Sequence, residues 1–260
     1  MSDEGYTPVE MMVVAAAREI RDGEVVYAGF LWPIIVTFLA KKTRAPNIIL
    51  STGSIAFRDN VPEKMPSYPA DSAVIEGSSI CDDSLFALIY FQSGIIDVSI
   101  VSASMVDRFG NLNTTCVGDY YAPKIRLPGA GGAPEVAAYS KRLIIIVDKH
   151  DRRKFPERVS FVTSPGYLSG GNSRVEAGYP RETGPAVIAT NLGIFRFDDS
   201  SKEMYLDSCH PGVTVKEIME NMDWKLRVSS EVEETEPPTK EELRILREMV
   251  GEARKKGYTL

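Results

Sequence analysis

Apolar segments of two different periods alternate along the first fifty residues. Thr7-Pro8-Val9-Glu10 has the residues of a helix start, and apolar residues then follow at helical spacing until Gly23. Residues 24–28 predict a strand, 33–42 a buried helix and 48–50 a second buried strand. This alternation of helix and strand predicts a parallel sheet covered by helices, which is the α/β class.

The middle of the chain continues this pattern with shorter elements. Helices are predicted at 84–91, 136–139 and 215–222, and strands at 98–101, 142–148, 159–162, 186–190, 193–197 and 204–206. Turn residues such as Asp198-Asp199-Ser200 predict that the last strands form an antiparallel edge. Residues 56–70 and the glycine-rich 166–184 predict long loops.

The C-terminal residues differ in character from the rest. Residues 231–239 are acidic and contain prolines, which predicts a linker, and 241–256 predict an amphipathic helix. We therefore expect an open, mostly parallel sheet flanked by helices, with a small antiparallel edge and a C-terminal helix. The expected division is an α/β domain at 1–230, followed by a linker and helix at 231–260.

One stretch, residues 107–133, lacks apolar periodicity and ends in Pro128-Gly129-Ala130-Gly131-Gly132-Ala133. Glycines without a Cβ allow positive φ and bring bare N–H groups up to a ligand. Successive amides that point to one spot can hold a carbonyl oxygen or an oxyanion. A tight turn needs the same residues, so the motif alone leaves both interpretations open.

Composition and charge narrow the classes of function. The chain has 260 residues, a net charge of −6 and a pI of about 5.2, which argues against nucleic-acid or membrane-surface binding. Its cysteines, Cys81, Cys116 and Cys209, and its histidines, His150 and His210, lack the spacing of a zinc site or disulfide framework. We expect no metal. The N-terminus lacks a signal-peptide pattern and no apolar run reaches about 20 residues, so we expect a cytoplasmic protein.

Two further positions are candidates for chemistry. Ser51-Thr52-Gly53 follows the second predicted strand, at the edge where open α/β sheets place their ligands. Ser51 and Thr52 either bind substrate or water there, or simply end the strand. Glu76 is the nearest carboxylate in a loop-like context, and it is either a base or an exposed loop residue.

Several separated segments agree in order and spacing with one family. They are Gly29 with Pro33, Arg44-Ala45-Pro46-Asn47, residues 107–113, Gly118-Asp119-Tyr120, Pro123-Lys124, residues 129–133, residues 149–153 and Val162-Thr163-Ser164-Pro165-Gly166. Together they resemble the β subunits of family I CoA-transferases, such as the B subunit of glutaconate CoA-transferase. The resemblance implies an open α/β fold, acyl-CoA substrates, and an active site shared with a homologous A subunit.

The resemblance also implies a nucleophile that this sequence lacks. Family members use the glutamate of a Glu-Ser-Gly motif, which attacks an acyl-CoA to give a glutamyl anhydride and then a glutamyl-CoA thioester. The matching residues here are Ser51-Thr52-Gly53. A serine ester and a CoA thioester differ in free energy, so Ser51 cannot replace the glutamate in this exchange of acyl group and CoA. Relatives without the glutamate look like hydrolases or lyases of CoA thioesters, including decarboxylases and ring-opening enzymes, and in the latter an A-subunit glutamate is the base.

The expected function is therefore that of a B subunit in a heteromeric enzyme that hydrolyses, ring-opens or decarboxylates an acyl-CoA. The alternatives are a true CoA-transferase that uses another carboxylate, and a non-catalytic partner that stabilises the A subunit. The candidate substrate-binding residues are the cradle of Gly129, Gly131, Gly132 and Ala133, with Asp119 shaping the loop and Lys124 contacting a CoA phosphate or carboxylate.

Overall fold

The computed structural model describes residues 5–52, 56–63, 65–66 and 71–257. Its helices are α1 (Pro8–Arg18), α2 (Trp32–Thr43), α3 (Ser72–Ile75), α4 (Ser84–Gln92), α5 (Ala133–Tyr139), α6 (Ser173–Glu176), α7 (Val215–Glu220) and α8 (Lys240–Lys255). Its strands are β1 (Val25–Ala28), β2 (Ile49–Thr52), β3 (Ala56–Arg58), β4 (Ile80–Cys81), β5 (Val98–Ser102), β6 (Met105–Val106), β7 (Leu112–Asn113), β8 (Cys116–Gly118), β9 (Pro123–Arg126), β10 (Arg142–Val147), β11 (Pro185–Thr190), β12 (Gly193–Phe197), β13 (Met204–Cys209) and β14 (Arg227–Glu234).

Ten of these strands form one sheet in the order β14-β13-β12-β11-β10-β5-β1-β2-β3-β4. The five central strands, from β11 to β2, run parallel, and β3, β4, β12 and β13 add antiparallel pairs at the two ends. β14 lies parallel to β13 at one edge. The predicted α/β fold, with its mostly parallel centre and antiparallel edge, is confirmed.

Helices cover both faces of the sheet. Along β10, Ile144 and Ile146 point into a core shared with α1, α2 and α8, and we call this side the α1 face. Leu143 and Ile145 point into a second core that includes residues of α4 and α5, and we call this side the α5 face. Because side chains alternate along a strand, neighbouring residues of one strand belong to opposite faces.

The central strands end along one line, which we call the carboxyl edge. β1 ends at Ala28 beside Thr52, the last residue of β2, and β5 and β10 end at Ser102 and Val147. Since α4 precedes β5 and α5 precedes β10, both helices begin near this edge and run back across the α5 face. The carboxyl edge is where an α/β sheet of this kind binds its ligands.

Several segments differ from the pattern-based prediction. Residues 159–162 form no strand, because the Val159 amide donates to the carboxylate of Asp107 and the segment follows that turn. Residues 231–234, predicted as linker, complete β14, where Glu233 pairs with Ser208. Strand β3 lies within the predicted loop 56–70 and α6 within the predicted loop 166–184, and β4 and the short strands between 105 and 126 lie where no strand was predicted.

The C-terminal helix packs on the α1 face. Leu246 and Met249 are buried in the same core as α1 and α2. At the helix start, Thr239 and Glu242 form a capping box, and Glu242 also pairs with Arg18 at 2.8 Å. No helix in the described part of the chain is long and apolar enough to cross a membrane.

Candidate active site

The last two residues of β2 point to opposite faces of the sheet. Leu50 belongs to the core of the α1 face, so Ser51 points to the α5 face and Thr52 to the α1 face. Both side chains are buried, and Ser51 is 4% exposed. Gly53 lies outside the described residues. The Ser51 side chain is therefore the member of this motif that lies on the same face as α4 and α5.

A row of residues across the sheet holds Ser51 between two aromatic rings. Ser51 pairs with Tyr27 of β1 on one side and with Phe57 of β3 on the other. From α4, Phe91 packs edge-on against Tyr27 with ring centroids 5.0 Å apart, and Tyr90 packs against Phe57 at 4.9 Å. Ser51 thus lies in an apolar environment that α4 shields from solvent.

Thr52 has a different environment. It pairs with Ala28 of β1, which lies in the core of the α1 face. Its hydroxyl oxygen is buried and has no hydrogen-bond partner among the described residues. Thr52 and Ser51 therefore do not form one polar pair, although they are adjacent in sequence.

The glycine-rich segment leads from β9 to the start of α5. Gly129 and Gly131 have φ values of 103° and 50°, which residues other than glycine seldom adopt. Gly132 is the N-cap of α5. A Cβ on Gly129 or Gly131 would meet no atom within 4 Å, so open space lies beside both residues. The glycines thus expose backbone to a space at the carboxyl edge.

Not all amides of this segment are available to a ligand. The Gly129 amide donates to the Thr114 carbonyl at 2.7 Å, and the Ala133 amide donates to the Ala130 carbonyl at 3.0 Å. The amides of Gly131 and Gly132 donate to no residue in the described part of the chain. The geometry therefore reduces the predicted cradle to these two amides, with Gly129 and Ala133 holding the turn in place.

Helix α4 connects the cradle with the region around Ser51. A Cβ on Gly132 would lie 3.9 Å from Cδ2 of Leu88, and Gln92 donates a hydrogen bond to Glu135 of α5. The same helix places Phe91 and Tyr90 over the neighbours of Ser51. Ser51 and the cradle thus share one face of the sheet and one covering helix.

Residues 107–111 form a buried turn that packs against the segment around Gly166. The carboxylate of Asp107 accepts hydrogen bonds from the amides of Phe109 and Asn111 and from the Asn111 side chain. Asn111 in turn accepts from the Gly166 amide at 2.9 Å. A Cβ on Gly166 would come within 2.4 Å of the Gly110 carbonyl oxygen, so only glycine allows this approach. The two sequence motifs are therefore parts of one packed unit.

Arg174 joins that unit to α5. Its guanidinium donates to the carbonyls of Pro165 and Gly166 at 3.1 and 2.8 Å, and to those of Ala137 and Ala138, in the last turn of α5, at 2.9 and 2.7 Å. Burial lowers the pKa of Arg174. The sequence carries no signal for this residue, because four of its partners are backbone oxygens that only the fold brings together.

The remaining predicted residues lie at the surface. Asp119 accepts from the amides of Tyr121 and Ala122 and so shapes the β8–β9 turn, and Lys124 is exposed on β9. The Glu76 side chain is exposed, and its backbone carbonyl accepts from Arg58. Arg58 leaves β3 toward the α1 face, so the structure does not bring Glu76 together with Ser51.

The two histidines both contact Thr190, His150 at its hydroxyl and His210 at its backbone carbonyl. Burial lowers the pKa of both His150 and His210 to about 4, so both are neutral at pH 7. Cys116 and Cys209 are buried and unpaired, and Cys81 is exposed. Among the described residues, no group of three or more acidic, histidine or cysteine side chains is placed to hold a metal ion.

Comparison with known proteins gives the same fold and family. The chain is 40% identical over 245 residues to the B subunit of 3-oxoadipate CoA-transferase from Pseudomonas knackmussii, covering 93% of this chain and 92% of that protein. It is 32% identical over 252 residues to the B subunit of glutaconate CoA-transferase from Acidaminococcus fermentans, covering 94% and 92%. The crystal structure of glutaconate coenzyme A-transferase from that organism superposes with a TM-score of 0.86 at 30% identity, covering 94% and 95% of the two chains.

More distant relatives have other activities. The cholesterol ring-cleaving hydrolase IpdB subunit of Mycobacterium tuberculosis H37Rv is 26% identical over 248 residues, covering 94% of each chain. The crystal structure of the decarboxylase AibA/AibB has the same fold, with a TM-score of 0.78 at 23% identity over 93% of each chain. The sequence profile of the coenzyme A transferase family matches residues 9–221. The chain belongs to the coenzyme A transferase family, and within it to the B subunits of the family I enzymes.

Proposed function

We propose that this chain is the B subunit of a heteromeric enzyme that hydrolyses, ring-opens or decarboxylates an acyl-CoA thioester. One observation carries the proposal. Ser51, the second-last residue of β2, lies on the face of the cradle between Tyr27 and Phe57, and none of these three side chains is a carboxylate. A covalent glutamyl-CoA intermediate has no residue on which to form in this row.

The amides of Gly131 and Gly132 stabilise the reacting thioester in this proposal. They donate to its carbonyl oxygen, and their hydrogen bonds strengthen as negative charge develops on that oxygen in an enolate or a tetrahedral intermediate. One such donor is typically worth about 3–4 kcal/mol in the transition state. Support comes from the lack of an intramolecular acceptor for either amide among the described residues.

A homologous A subunit supplies the acid or base in this proposal. Glu76 lies toward the other face of the sheet, and the buried histidines are neutral and packed within the chain. The hydroxyl of Ser51 then orients the acyl group or a water molecule. Lys124, exposed on β9, is free to contact a phosphate or carboxylate of the substrate.

CoA transfer is the second candidate, because the relative at 40% identity belongs to a CoA-transferase. Trapping distinguishes the two. The assembled enzyme is incubated with acyl-CoA and then treated with borohydride or hydroxylamine, and we expect no CoA adduct on this chain. The Ser51→Glu variant, which places a carboxylate at the strand end, serves as the comparison in which an adduct can form. A trapped enzyme–CoA thioester on the wild-type chain would refute the proposal.

A non-catalytic role is tested with the same proteins. If the A subunit alone turns over acyl-CoA at the rate of the complex, this chain only stabilises its partner. We expect turnover to require both chains.

A further inference from the structure

Leu31, in the loop between β1 and α2, has a backbone conformation that leucine seldom adopts. Its φ is 65° and its ψ is −122°, close to the values of the first central residue in a type II′ turn, where glycine is usual. A Cβ makes this conformation unfavourable, so leucine costs free energy here that glycine would not. Strained residues of this kind cluster at functional sites, because the surrounding structure has to hold them in place.

The backbone on both sides of Leu31 is fixed by its neighbours. The Gly29 amide donates to the Ile100 carbonyl of β5 at 2.9 Å, and a Cβ on Gly29 would lie only 3.0 Å from that oxygen. On the other side, the Leu31 carbonyl accepts from the amides of Ile34 and Ile35, in the first turn of α2, at 3.2 and 3.4 Å. The conformation at Leu31 is therefore imposed by β5 and α2.

The Leu31 side chain does not contribute to the core. Phe30 and Trp32 are partly buried and pack against the core of the α1 face. Leu31 is 37% exposed and belongs to neither core in the described part of the chain. Glycine would form the same turn without strain and without a loss to either core. The leucine side chain is therefore expected to contact something other than this chain.

The loop lies at the carboxyl edge, beside the end of β2. Tyr27 and Ala28 are the last two residues of β1, and they pair with Ser51 and Thr52. The loop begins at the next residue along the chain, so Leu31 follows the direct neighbours of Ser51. A group bound at this edge is placed to contact the leucine side chain.

The sequence around this loop is uncharged. No charged residue occurs at 25–40, which includes β1 and the loop, or at 45–57, which includes β2. A ligand carboxylate that binds between these segments would receive no cation from them, and its burial without a partner would oppose binding. A hydrocarbon group gains free energy there from contact with apolar side chains.

We infer that residues 30–32 form an apolar wall for the acyl group, with Leu31 as a residue that determines specificity. The substrate is then the CoA thioester of a hydrophobic acid, alicyclic, aromatic or branched, without a second carboxylate next to this wall. This inference rests on the proposed function, because it requires the thioester carbonyl to bind at the cradle. The acyl group extends from there along the carboxyl edge, past the end of β2, to the loop.

Binding of two unreactive CoA thioethers to the assembled enzyme tests the inference. Cyclohexylmethyl-CoA and carboxybutyl-CoA carry substituents with equal numbers of non-hydrogen atoms, and both lack the thioester carbonyl, so neither can react. Isothermal titration calorimetry measures the two dissociation constants. We expect the wild type to bind cyclohexylmethyl-CoA at least about 10-fold more tightly, because the wall desolvates a carboxylate without pairing it.

The variant Leu31→Gly removes the side chain and keeps the turn, because glycine readily adopts a positive φ. We expect it to bind cyclohexylmethyl-CoA about 10-fold more weakly and to bind carboxybutyl-CoA almost as the wild type does. Leu168→Gly is the matched control, since Leu168 also has a positive φ, of 53°. Leu168 follows Tyr167, whose hydroxyl donates to Pro185 at the start of β11, away from the carboxyl edge. The control should change neither affinity, and circular dichroism shows whether each variant is folded.

The outcomes separate the inference from the proposed function. Equal binding of the two thioethers by the wild type, or an equal effect of Leu31→Gly on both, would overturn the inference and leave the proposed function intact. Weaker association of the two chains in Leu31→Gly, with both thioether affinities unchanged, would assign the leucine to a subunit contact and would also overturn it. If the assembled wild type binds neither thioether nor CoA itself, the proposed function fails as well.

Discussion

Replacing Arg174 by methionine tests whether this buried guanidinium holds α5 and the cradle in place. Methionine fills similar volume but donates no hydrogen bond, so the carbonyls of Ala137, Pro165 and Gly166 lose the side-chain partner that the structure gives them. Ala138 keeps a hydrogen bond from Thr183 at 3.0 Å. The change therefore leaves three backbone acceptors to be resatisfied.

The magnitude follows from the cost of a buried acceptor without a donor. Each such group costs about 1–3 kcal/mol, and part of that cost is offset because the variant no longer buries a charged guanidinium. We expect the free energy of unfolding to fall by about 4 kcal/mol, which is a large share of the 5–15 kcal/mol typical of a folded domain. Arg174→Lys should lose less, because an ammonium still donates hydrogen bonds, although without the planar geometry of guanidinium.

Urea denaturation of the purified chain, followed by circular dichroism, measures these differences. Arg244→Met is the control, since Arg244 is exposed and its ion pairs among the described residues are with Glu241 and Glu248 of its own helix. Its unfolding midpoint should stay close to that of the wild type. An Arg174→Met variant within about 1 kcal/mol of the wild type would refute the view that the four carbonyl contacts stabilise this unit.

Two further predictions concern the cradle and the buried histidines. Gly131→Ala should lower turnover of the assembled enzyme at least about 10-fold, because alanine at a φ of 50° strains the turn. Gly132→Ala should retain turnover, because the φ of Gly132 is −85° and a Cβ there makes only ordinary contact with Leu88. Equal rates for the two variants would exclude a conformational role for Gly131. The pKa values of about 4 for His150 and His210 lie below the ordinary value of 6.5. Between these two pH values the unfolded chain therefore binds more protons than the folded chain, and the free energy of unfolding falls as the pH drops from 6.5 toward 4. Each histidine contributes about 1.4 kcal/mol per pH unit to this slope in the middle of the window, and His210→Asn should remove its share in denaturation series at pH 5 to 6.5. An unchanged slope in that variant would contradict neutral burial of His210.

The order of elements could be predicted from sequence because it rests on local patterns. The capping residues before α1, the apolar run of α2 and the unbroken Leu143-Ile144-Ile145-Ile146-Val147 of β10 each show their period within one element. The position of Ser51 at the carboxyl edge followed from that order. The two-residue strands β4 and β7 are too short to show a period, and they were missed for that reason.

The finer geometry of the site depends on contacts that sequence does not encode locally. Ser51 and Thr52 are adjacent polar residues, and the register of β2 against β1 assigns them to different faces. The amides of Gly129 and Ala133 look equivalent to those of Gly131 and Gly132 in the motif, but hydrogen bonds to Thr114 and Ala130 occupy them. Arg174 could not be distinguished from a solvated arginine, since its partners are carbonyls from separate segments of the chain.

The two ends of the ten-stranded sheet restrict how copies of this molecule can associate. One outer strand, β4, has only two residues, and the other, β14, includes Glu231, Glu233 and Glu234. A strand this short offers few free backbone groups for pairing, and a run of like charges repels an identical strand. Fibre-like growth by edge-to-edge addition is therefore disfavoured at both ends, so stable assembly has to use side-chain surfaces such as those of the covering helices.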